Sequence, residues 1–499
     1  MKIFDSKNIH ELDRLTMEQQ QITSLELMER AALQVFLWIV NHFSDKKKVF
    51  HLFCGVGNNG GDGLVVARLL KQNYFSVQVY VIPFATSYSE DFKTNLQRLK
   101  EVNLNHTLLD ESATFPTIDH QDIIIDAIFG IGLTRELAPW VQKIIQKLNE
   151  QPSFKVAIDV PSGLFLTRKT ELAIQSDVIL TFQFPKLAFF MPENEAFVTE
   201  IVILNIELDS KAIDKTPTSF FYADVKEVKK RYHPIAKFSH KGTQGHALLI
   251  GGSYGKIGSM VLAAQAALRS GCGLATVFIP KCGYEILQTA SPEAMVITDE
   301  NDKKITQIDF EFTPKAIGIG MGIGQEEETI AAFYDFLLKN KLPVLIDADG
   351  LNILATHPEW LTLLPENSIL TPHPKELERL IGTWQDDFDK IKKTQQLAQQ
   401  YQLVVLIKGA YTLIISDKTV FVNPTGNQAL ATGGSGDVLS GMITSLRAQG
   451  YTAFDAALIG VYLHGKTANL AVPEIGHESF IASDIIHYLG KAFLELNSN

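Results

Sequence analysis

Asp437 sits near the end of the run Asn423 to Gly441, NPTGNQALATGGSGDVLSG, where Gly433, Gly434 and Gly436 surround a single carboxylate. The apolar-periodic segment Val438-Leu439-Ser440-Gly441-Met442-Ile443 follows and reads as the start of a helix. Glycines just ahead of a helix N-terminus free several backbone N–H groups to point at one place, and the helix dipole makes that place attractive to an anion. A carboxylate there is badly placed to hold a phosphate, because like charges repel. It is well placed to take a proton from a hydroxyl about to meet a phosphoryl group. The simpler alternative is a Gly-rich turn with an Asp capping the helix.

Three further turns carry groups of the same kind. They are Gly57-Asn58-Asn59-Gly60-Gly61-Asp62-Gly63, the run Asp126 to Glu136 (DAIFGIGLTRE), and Ile158-Asp159-Val160-Pro161-Ser162-Gly163. Each follows a short apolar run, so in a parallel sheet all three converge at the carboxyl edge, where such folds bind ligands. Later in the chain come Asp347-Ala348-Asp349, the turn Thr371-Pro372-His373-Pro374, and Lys408-Gly409 after the apolar run Leu403–Ile407. Each has a plain structural alternative. The Asp pair could hold its loop, the prolines could make only a rigid turn, and Lys408 could end a strand in water.

The elements that must position these groups are legible as apolar periodicity. Residues from about Ser6 to His42 read as helical, with Ser24 as an N-cap ahead of Leu25, Leu27, Met28 and Ala31. Strands are expected at Val49–Cys54, Val77–Ile82, Ile123–Ile125, Val156–Val160, Val178–Phe182 and Ile201–Leu204, mostly separated by helical segments. Periodicity then lapses between about Leu208 and Tyr232, which places a domain boundary near Asp209–Ser219. The second part restarts at His246–Ile250. Strands follow at Ala275–Ile279, Ala316–Ile319, Val344–Ile346, Ser368–Leu370 and Val404–Ile407, then a hairpin of Tyr411–Ser416 with Thr419–Val422. The fold class is α/β throughout: a Rossmann-like doubly wound sheet, then a second α/β domain. The expected domains are residues 1–212 and 220–499.

Composition narrows the function classes. A chain of 499 residues with 46% hydrophobic and 20% charged residues is that of a globular protein of two or three domains. A formal charge of −11 argues against a nucleic-acid surface. The three cysteines, Cys54, Cys272 and Cys282, show no metal spacing and read as buried thiols of a reducing compartment. The N-terminus MKIFDSKNIHELDRL has no apolar signal core, and no run approaches the ~20 apolar residues of a membrane span. A cytoplasmic protein without membrane or nucleic-acid partners is expected, with a homo-oligomer as its assembly.

The first part resembles the epimerase domain of the NAD(P)H-hydrate repair enzymes, the YjeF N-terminal family, through GNNGGDGLVVAR, DAIFGIGLTRE, AIDVPSG and TFQFPK (Thr181–Lys186). The resemblance implies that Asn58, Asn59, Gly60, Gly61 and Asp62 cradle the hydrated dinucleotide together with Gly130, Ile131, Gly132, Leu133, Thr134, Arg135 and Glu136. It implies that Asp159 contacts substrate, and that Asn59, Asp126 and Ser162 give oxygens to a potassium ion, a hard cation that suits such donors. Epimerisation needs a group that assists the hydroxyl's departure and return, for which Asp159 and Lys186 are the acid–base candidates.

From about residue 230 to 495 the chain resembles the ADP-dependent NAD(P)H-hydrate dehydratases, with a ribokinase-like fold. The matching pieces include KGTQGHALLIGGS, GIGMG, DADGLN, TPHPKELERL, IKGAYT and the Gly-rich run itself. The implied reaction phosphorylates the hydrate's hydroxyl from ADP, with Asp437 as base, and eliminates phosphate to leave NAD(P)H and AMP. Substrates would be NADHX or NADPHX, with magnesium accompanying ADP. By the same resemblance Lys408, Gly409, Ala410, Tyr411, Thr412 and Gly436 contact the adenine nucleotide, and Ala264, Gly322, His373 and Asp437 contact the dinucleotide. Lys375 stands where the family often has glycine, Ser259 where Ala is frequent, and Ala468 and Asn469 where Gly and Asp are common. None of these removes a proposed catalytic residue. A small-molecule kinase of the same superfamily would share the anion site and the Asp base but leave phosphate on its product. A non-enzymatic binding module would lack the acids, whereas Asp126, Asp159 and Ser162 are all present.

Overall fold

A computed structural model describes residues 1–498. The chain divides into two compact units. One holds Lys2–Thr218 and Asp386–Phe388; the other holds Ser219–Gln385 and the chain from Asp389 onward. Among the described residues no helix is long and apolar enough to cross a membrane.

The N-terminal unit begins with α1 (Ser6–Gln20) and α2 (Ser24–His42). These are two helices where a single helical stretch was expected. Gln21 ends the first in the left-handed region at φ 54°, and Thr23, not Ser24, caps the second. Thr23 and Glu26 form a reciprocal capping box, which satisfies two otherwise orphaned N–H donors. The sheet strands are β1 (Val49–Cys54), β2 (Ser76–Val81), β3 (His106–Leu108), β4 (Ile123–Ala127), β5 (Phe154–Ile158), β6 (Val178–Phe182) and β7 (Glu200–Leu204). Their order is β3-β2-β1-β4-β5-β6-β7, and every pairing is parallel. The chain runs outward from β1 to β3 and returns to β4 beside β1. The carboxyl ends of β1 and β4 therefore bracket a topological switch point, the crevice where open α/β sheets bind ligands. Helices α3 (Asn58–Gln72), α4 (Glu90–Glu101) and α5 (Pro139–Asn149) cover the faces, so β4 is buried along its whole length. β3 is short and mostly exposed, which explains why no apolar run announced it.

The stretch after Leu208 carries structure that apolar periodicity did not reveal: α6 (Ser210–Lys215), β8 (Phe220–Tyr222) and α7 (Val225–Lys229). Each is one or two turns or three residues long, too short for a period to register. In the C-terminal unit follow β9 (His246–Ile250), α8 (Ile257–Arg269), β10 (Leu274–Ile279), β11 (Met295–Thr298), β12 (Ala316–Ile319) and α9 (Glu327–Lys339). Then come β13 (Val344–Ile346), α10 (Asp349–Thr356), β14 (Ile369–Leu370), α11 (Pro374–Ile381), β15 (Val404–Ile407), β16 (Leu413–Ile415) and β17 (Val420–Val422). The chain closes with α12 (Ser435–Ala448), α13 (Ala453–Ile475) and α14 (Ala482–Asn497). The strand order is β8-β17-β16-β15-β14-β13-β12-β9-β10-β11, parallel from β15 to β11 and antiparallel through the β15–β16–β17 meander. Cys54 and Cys272 are buried, but Cys282 is half-exposed, against the expectation of three buried thiols.

Helix α12 begins at Ser435, three residues earlier than its apolar pattern indicated, so Asp437 lies inside its first turn. The helix lies against the small-residue face of α8. A Cβ on Gly441 would stand 2.1 Å from the carbonyl oxygen of Ala263, so only glycine allows this approach. Gly441→Ala should separate the two helices and cost about 1–3 kcal/mol in urea unfolding. Gly490→Ala on α14, where a Cβ meets nothing within 4 Å, should instead be neutral or stabilising. Equal effects of the two changes would disprove the close-packing account.

Candidate active sites

In the N-terminal unit a cavity of about 740 Å³ opens at the β1/β4 switch point. Gly57 caps α3 without a side-chain bond, leaving first-turn N–H groups at the cavity edge. Asn58, Asn59 and Asp62 line it from α3, and Gly130 to Glu136 line it from the loop after β4. Asp159 and Lys186 stand on the same wall. Gly60 and Gly61 do not reach the cavity. Gly60 is pressed so closely on Gly55 that a Cβ would lie 1.8 Å from its carbonyl oxygen.

Asp159 follows β5 in the left-handed region at φ 64°, an uncommon conformation for a residue with a Cβ. Its Oδ1 accepts from Lys186 Nζ at 2.5 Å, from the Phe182 amide at 3.1 Å and from Thr181 Oγ1 at 3.2 Å. Lys186 also donates to Thr181 Oγ1 at 2.7 Å, and its side chain is 2% exposed. The solvated-surface alternative for this lysine is thereby excluded. Asp62 is pushed well above the usual carboxylate range by burial and by the charges of Asp159, Asp13 and Asp91. Asp13, on α1, lines the same cavity and was missed in the sequence. Burial and the charge of Asp159, partly offset by Lys186, raise its carboxyl to about 7. Its signal was an acid four residues after buried Ile9 and beside buried Leu12, on the helix's inward side.

Asp126 and Ser162 are fully buried behind the cavity wall. Ser162 donates to Asp126 Oδ1 from its hydroxyl at 2.5 Å and to Oδ2 from its amide at 2.7 Å. The Phe129 amide donates to Ser162 Oγ, and Asn59 Nδ2 donates to the Phe129 carbonyl. Asn59 Oδ1 is buried with no partner among the described residues. Burial outweighs the Ser162 hydrogen bonds and raises Asp126 to about 6. An orphaned amide oxygen beside a buried carboxylate and a hydroxyl is a donor set that fits a hard monovalent cation.

In the C-terminal unit the carboxyl ends of β12 to β15 supply the groups. Asp347, after β13, is 1% exposed. Burial opposes its charge, but Lys408 Nζ at 2.8 Å and Ser440 Oγ at 2.7 Å prevail and hold it below the usual range. The next residue, Ala348, is left-handed at φ 50°, turning Asp349 back toward Lys256 and the Gly324 amide. A Cβ on Gly436 would lie 3.6 Å from Lys408 Nζ and 3.7 Å from Asp347 Oδ2. The Lys408–Asp347 pair therefore sits directly beneath the start of α12. Gly434 caps that helix at φ 88° with no side-chain bond, so Asp437 is not a cap. Burial first, then the charges of Asp347 and Asp349, push Asp437 up to about 7 against the pull of Lys408. Beneath the same turn, buried His464 approaches Ser435, its Nε2 3.0 Å from the carbonyl oxygen and 3.2 Å from Oγ. Burial lowers this imidazole to about 4, so it is neutral.

Other expected contacts divide. Gly409 and Ala410 are exposed, and Tyr411 and Thr412 half-buried, in the loop after β15. His373 caps α11 through Nδ1, accepting from the Lys375 and Glu376 amides, and its side chain is 46% exposed. Gly322, at φ 61°, follows β12, and its carbonyl accepts from Ser253 Oγ. Ala264 is 0% exposed within the α8 core cluster, so its side chain is not brought to an open face. Among the described residues no three His, Cys, Asp or Glu side chains group as a metal site.

Two family models match the chain. One, described as YjeF-related protein N-terminus, covers residues 24–188; the other, NAD(P)H-hydrate dehydratase, covers residues 247–491. The bifunctional NAD(P)H-hydrate repair enzyme of Moorella thermoacetica is 32% identical, over 98% of this chain and 96% of its own length. Those of Coxiella burnetii and Escherichia coli K12 are each 31% identical, covering 98% and 94% of this chain and 98% and 89% of their own lengths. A crystal structure of the Bacillus subtilis ADP/ATP-dependent NAD(P)H-hydrate dehydratase, co-crystallised with ATP and magnesium, is 30% identical at a TM-score of 0.48. It covers 56% of this chain and 99% of that one.

Asp437 binds its proton more tightly folded than unfolded, so the desolvation of its charge costs stability as pH rises from 3.8 to about 7. Asp437→Asn should therefore raise the melting midpoint relative to wild type more at pH ~8 than at pH ~4. A difference independent of pH would contradict a desolvated carboxyl.

Proposed function

The chain belongs to the bifunctional NAD(P)H-hydrate repair enzymes, and on that premise we propose which residues of each unit do the chemistry. The enzyme epimerises the two forms of the hydrated dinucleotide and dehydrates the S form to NAD(P)H. The observation that carries the assignment is Asp437: a carboxyl raised to about 7, in the first turn of a helix whose glycine cap offers no side-chain oxygen to its N–H groups.

Hydroxide is a poor leaving group, and phosphorylation makes the hydrate's hydroxyl a good one. Asp437 takes the hydroxyl proton while the amides of Gly434, Ser435 and Gly436 hold the charge of the arriving phosphoryl group. The phosphoryl donor is ADP, which leaves as AMP after phosphate is eliminated. Lys408, already paired with Asp347, lies beside Gly436 and adds positive charge at the point where phosphate approaches. Lys408 to Thr412 form the nucleotide side, and Gly322 and His373 the dinucleotide side. When bound with the nucleotide, magnesium would supply positive charge against the phosphates.

In the N-terminal unit Asn58, Asn59, Asp62 and Gly130 to Glu136 hold the hydrate, and the Asp159–Lys186 pair faces the carbon whose configuration changes. Asn59 Oδ1, Asp126 and Ser162 would hold potassium, whose charge would balance that of buried Asp126. The kinase alternative has no feature of this kind to explain the first unit.

The test follows reduced-nicotinamide absorbance when purified protein meets a mixed-epimer hydrate with ADP, ATP or no nucleotide. Full recovery that requires nucleotide is expected. Asp437→Asn should lower dehydration about 10²–10⁴-fold while R and S still interconvert. Asp159→Asn should give recovery that stops when the S form is spent, and failure of that arm alone would sink the assignment of Asp159. Replacing potassium with a bulky organic cation should slow epimerisation and leave dehydration of pure S form unaltered; the converse pattern would move the ion to the other unit.

A further inference from the structure

In the epimerase cavity Lys186 stands near three carboxyls, those of Asp13, Asp62 and Asp159. Lys186 is committed to Asp159 at 2.5 Å, and it also donates to Thr181 Oγ1 and the Phe184 carbonyl. Asp62 stands on α3 and Asp13 on α1, and the charge of Asp13 adds to the cost of ionising Asp62. Asp13 is half-buried, lines the cavity, and accepts no hydrogen bond or ion pair from any described residue. Asp62 accepts no such bond either, but it is buried, whereas Asp13 keeps part of its surface in the cavity and is free for the ligand.

We propose that Asp13 is a catalytic residue of the epimerase, the proton donor that works opposite the lysine-paired Asp159. The inference rests on the epimerase reading of this unit and deepens it. The hydrate's C6 carries its hydroxyl on a carbon bonded to ring nitrogen N1. Protonated Asp13 delivers its proton to that hydroxyl. The C6–O bond breaks, water leaves, and the N1 lone pair forms a C=N bond, leaving a flat iminium carbon and an Asp13 carboxylate. Water then adds to the opposite face of C6 and gives its extra proton to Asp159 on that side, the C=N pair returns to N1, and exchange with solvent restores the proton of Asp13 and the charge of Asp159. Atoms and charge balance with no further reactant. The assignment divides the labour as paired carboxyls divide it elsewhere: one is bound to a lysine, and the other, desolvated and beside the Asp159 charge, holds its proton more tightly. Its carboxyl at about 7 suits a donor working near neutral pH.

The groups facing Asp13 are Asp159 and Lys186 from the strand ends and Asp62 from α3, with His10 on its own helix and Arg135 and Glu136 across the cavity. The experiment uses the full chain and pure R-form hydrate, reading conversion to S by chromatography. Asp13→Asn should lower kcat for epimerisation about a hundredfold with KM little changed. Wild-type kcat/KM should fall as pH rises through about 7, and that limb should vanish in the variant. Asp13→Glu should restore part of the rate with a limb of its own, which a misfolded or merely structural variant could not do. An Asp13→Asn enzyme with wild-type rate and the same alkaline limb overturns the proposal while the epimerase reading stands. Wild-type protein that converts no R form overturns both.

Discussion

In each unit a lysine bound to one carboxylate stands near further carboxyls that it does not bind. Lys186 holds Asp159 and leaves Asp13 and Asp62 uncompensated. Lys408 holds Asp347 and leaves Asp437 so. Removing an ion from water costs several kcal/mol unless a partner repays it, so an unpaired carboxyl in such a place keeps its proton. The result in each unit is a carboxyl raised to about 7, Asp13 in one and Asp437 in the other, close to one that is bound to a lysine. On the assignments proposed for these residues, two unrelated reactions, loss and return of a hydroxyl and proton removal during phosphoryl transfer, would draw on the same imbalance.

The backbone is arranged to maintain that crowding. Asp159 and Ala348 both take left-handed φ immediately after a parallel strand, where the chain must turn sharply to aim its acids at the sheet edge. Such conformations cost of order 1–3 kcal/mol in a residue with a Cβ and persist only where the surroundings over-determine them. The helix starts repeat the theme. Gly57 and Gly434 cap α3 and α12 without any side-chain oxygen, so first-turn donors are left for a ligand instead of being satisfied locally. The tight seat of Gly441 on Ala263 then fixes α12, and with it Asp437, over the strand ends.

Several candidate side chains were legible before any fold was known. The turns around Asn58–Asp62, Asp159 and Gly434–Asp437 announced themselves because glycine-rich or acidic turns after apolar runs have few other uses. Short elements were not legible. β3, β8, α6 and α7 span too few residues to carry a period, and the break between α1 and α2 depends on one left-handed residue, Gln21, that no composition rule singles out. Asp13 was invisible for a different reason. It is one acid on an amphipathic helix, and its meaning lies in what stands across the cavity from it.

By itself the sequence determined the α/β class, the strand-and-turn order, and the residue types able to bind anions and move protons, because these depend on local periodicity and on chemistry carried within a few positions. Only the tertiary structure decided which carboxyl pairs with which lysine, that Lys186 and Asp347 are buried while His373 is open, that Ala264 lies in the core, and that Asn59 Oδ1 is left without a partner. Charge state and accessibility are set by neighbours hundreds of residues apart or one strand away, and those distances exist only once the sheets have formed.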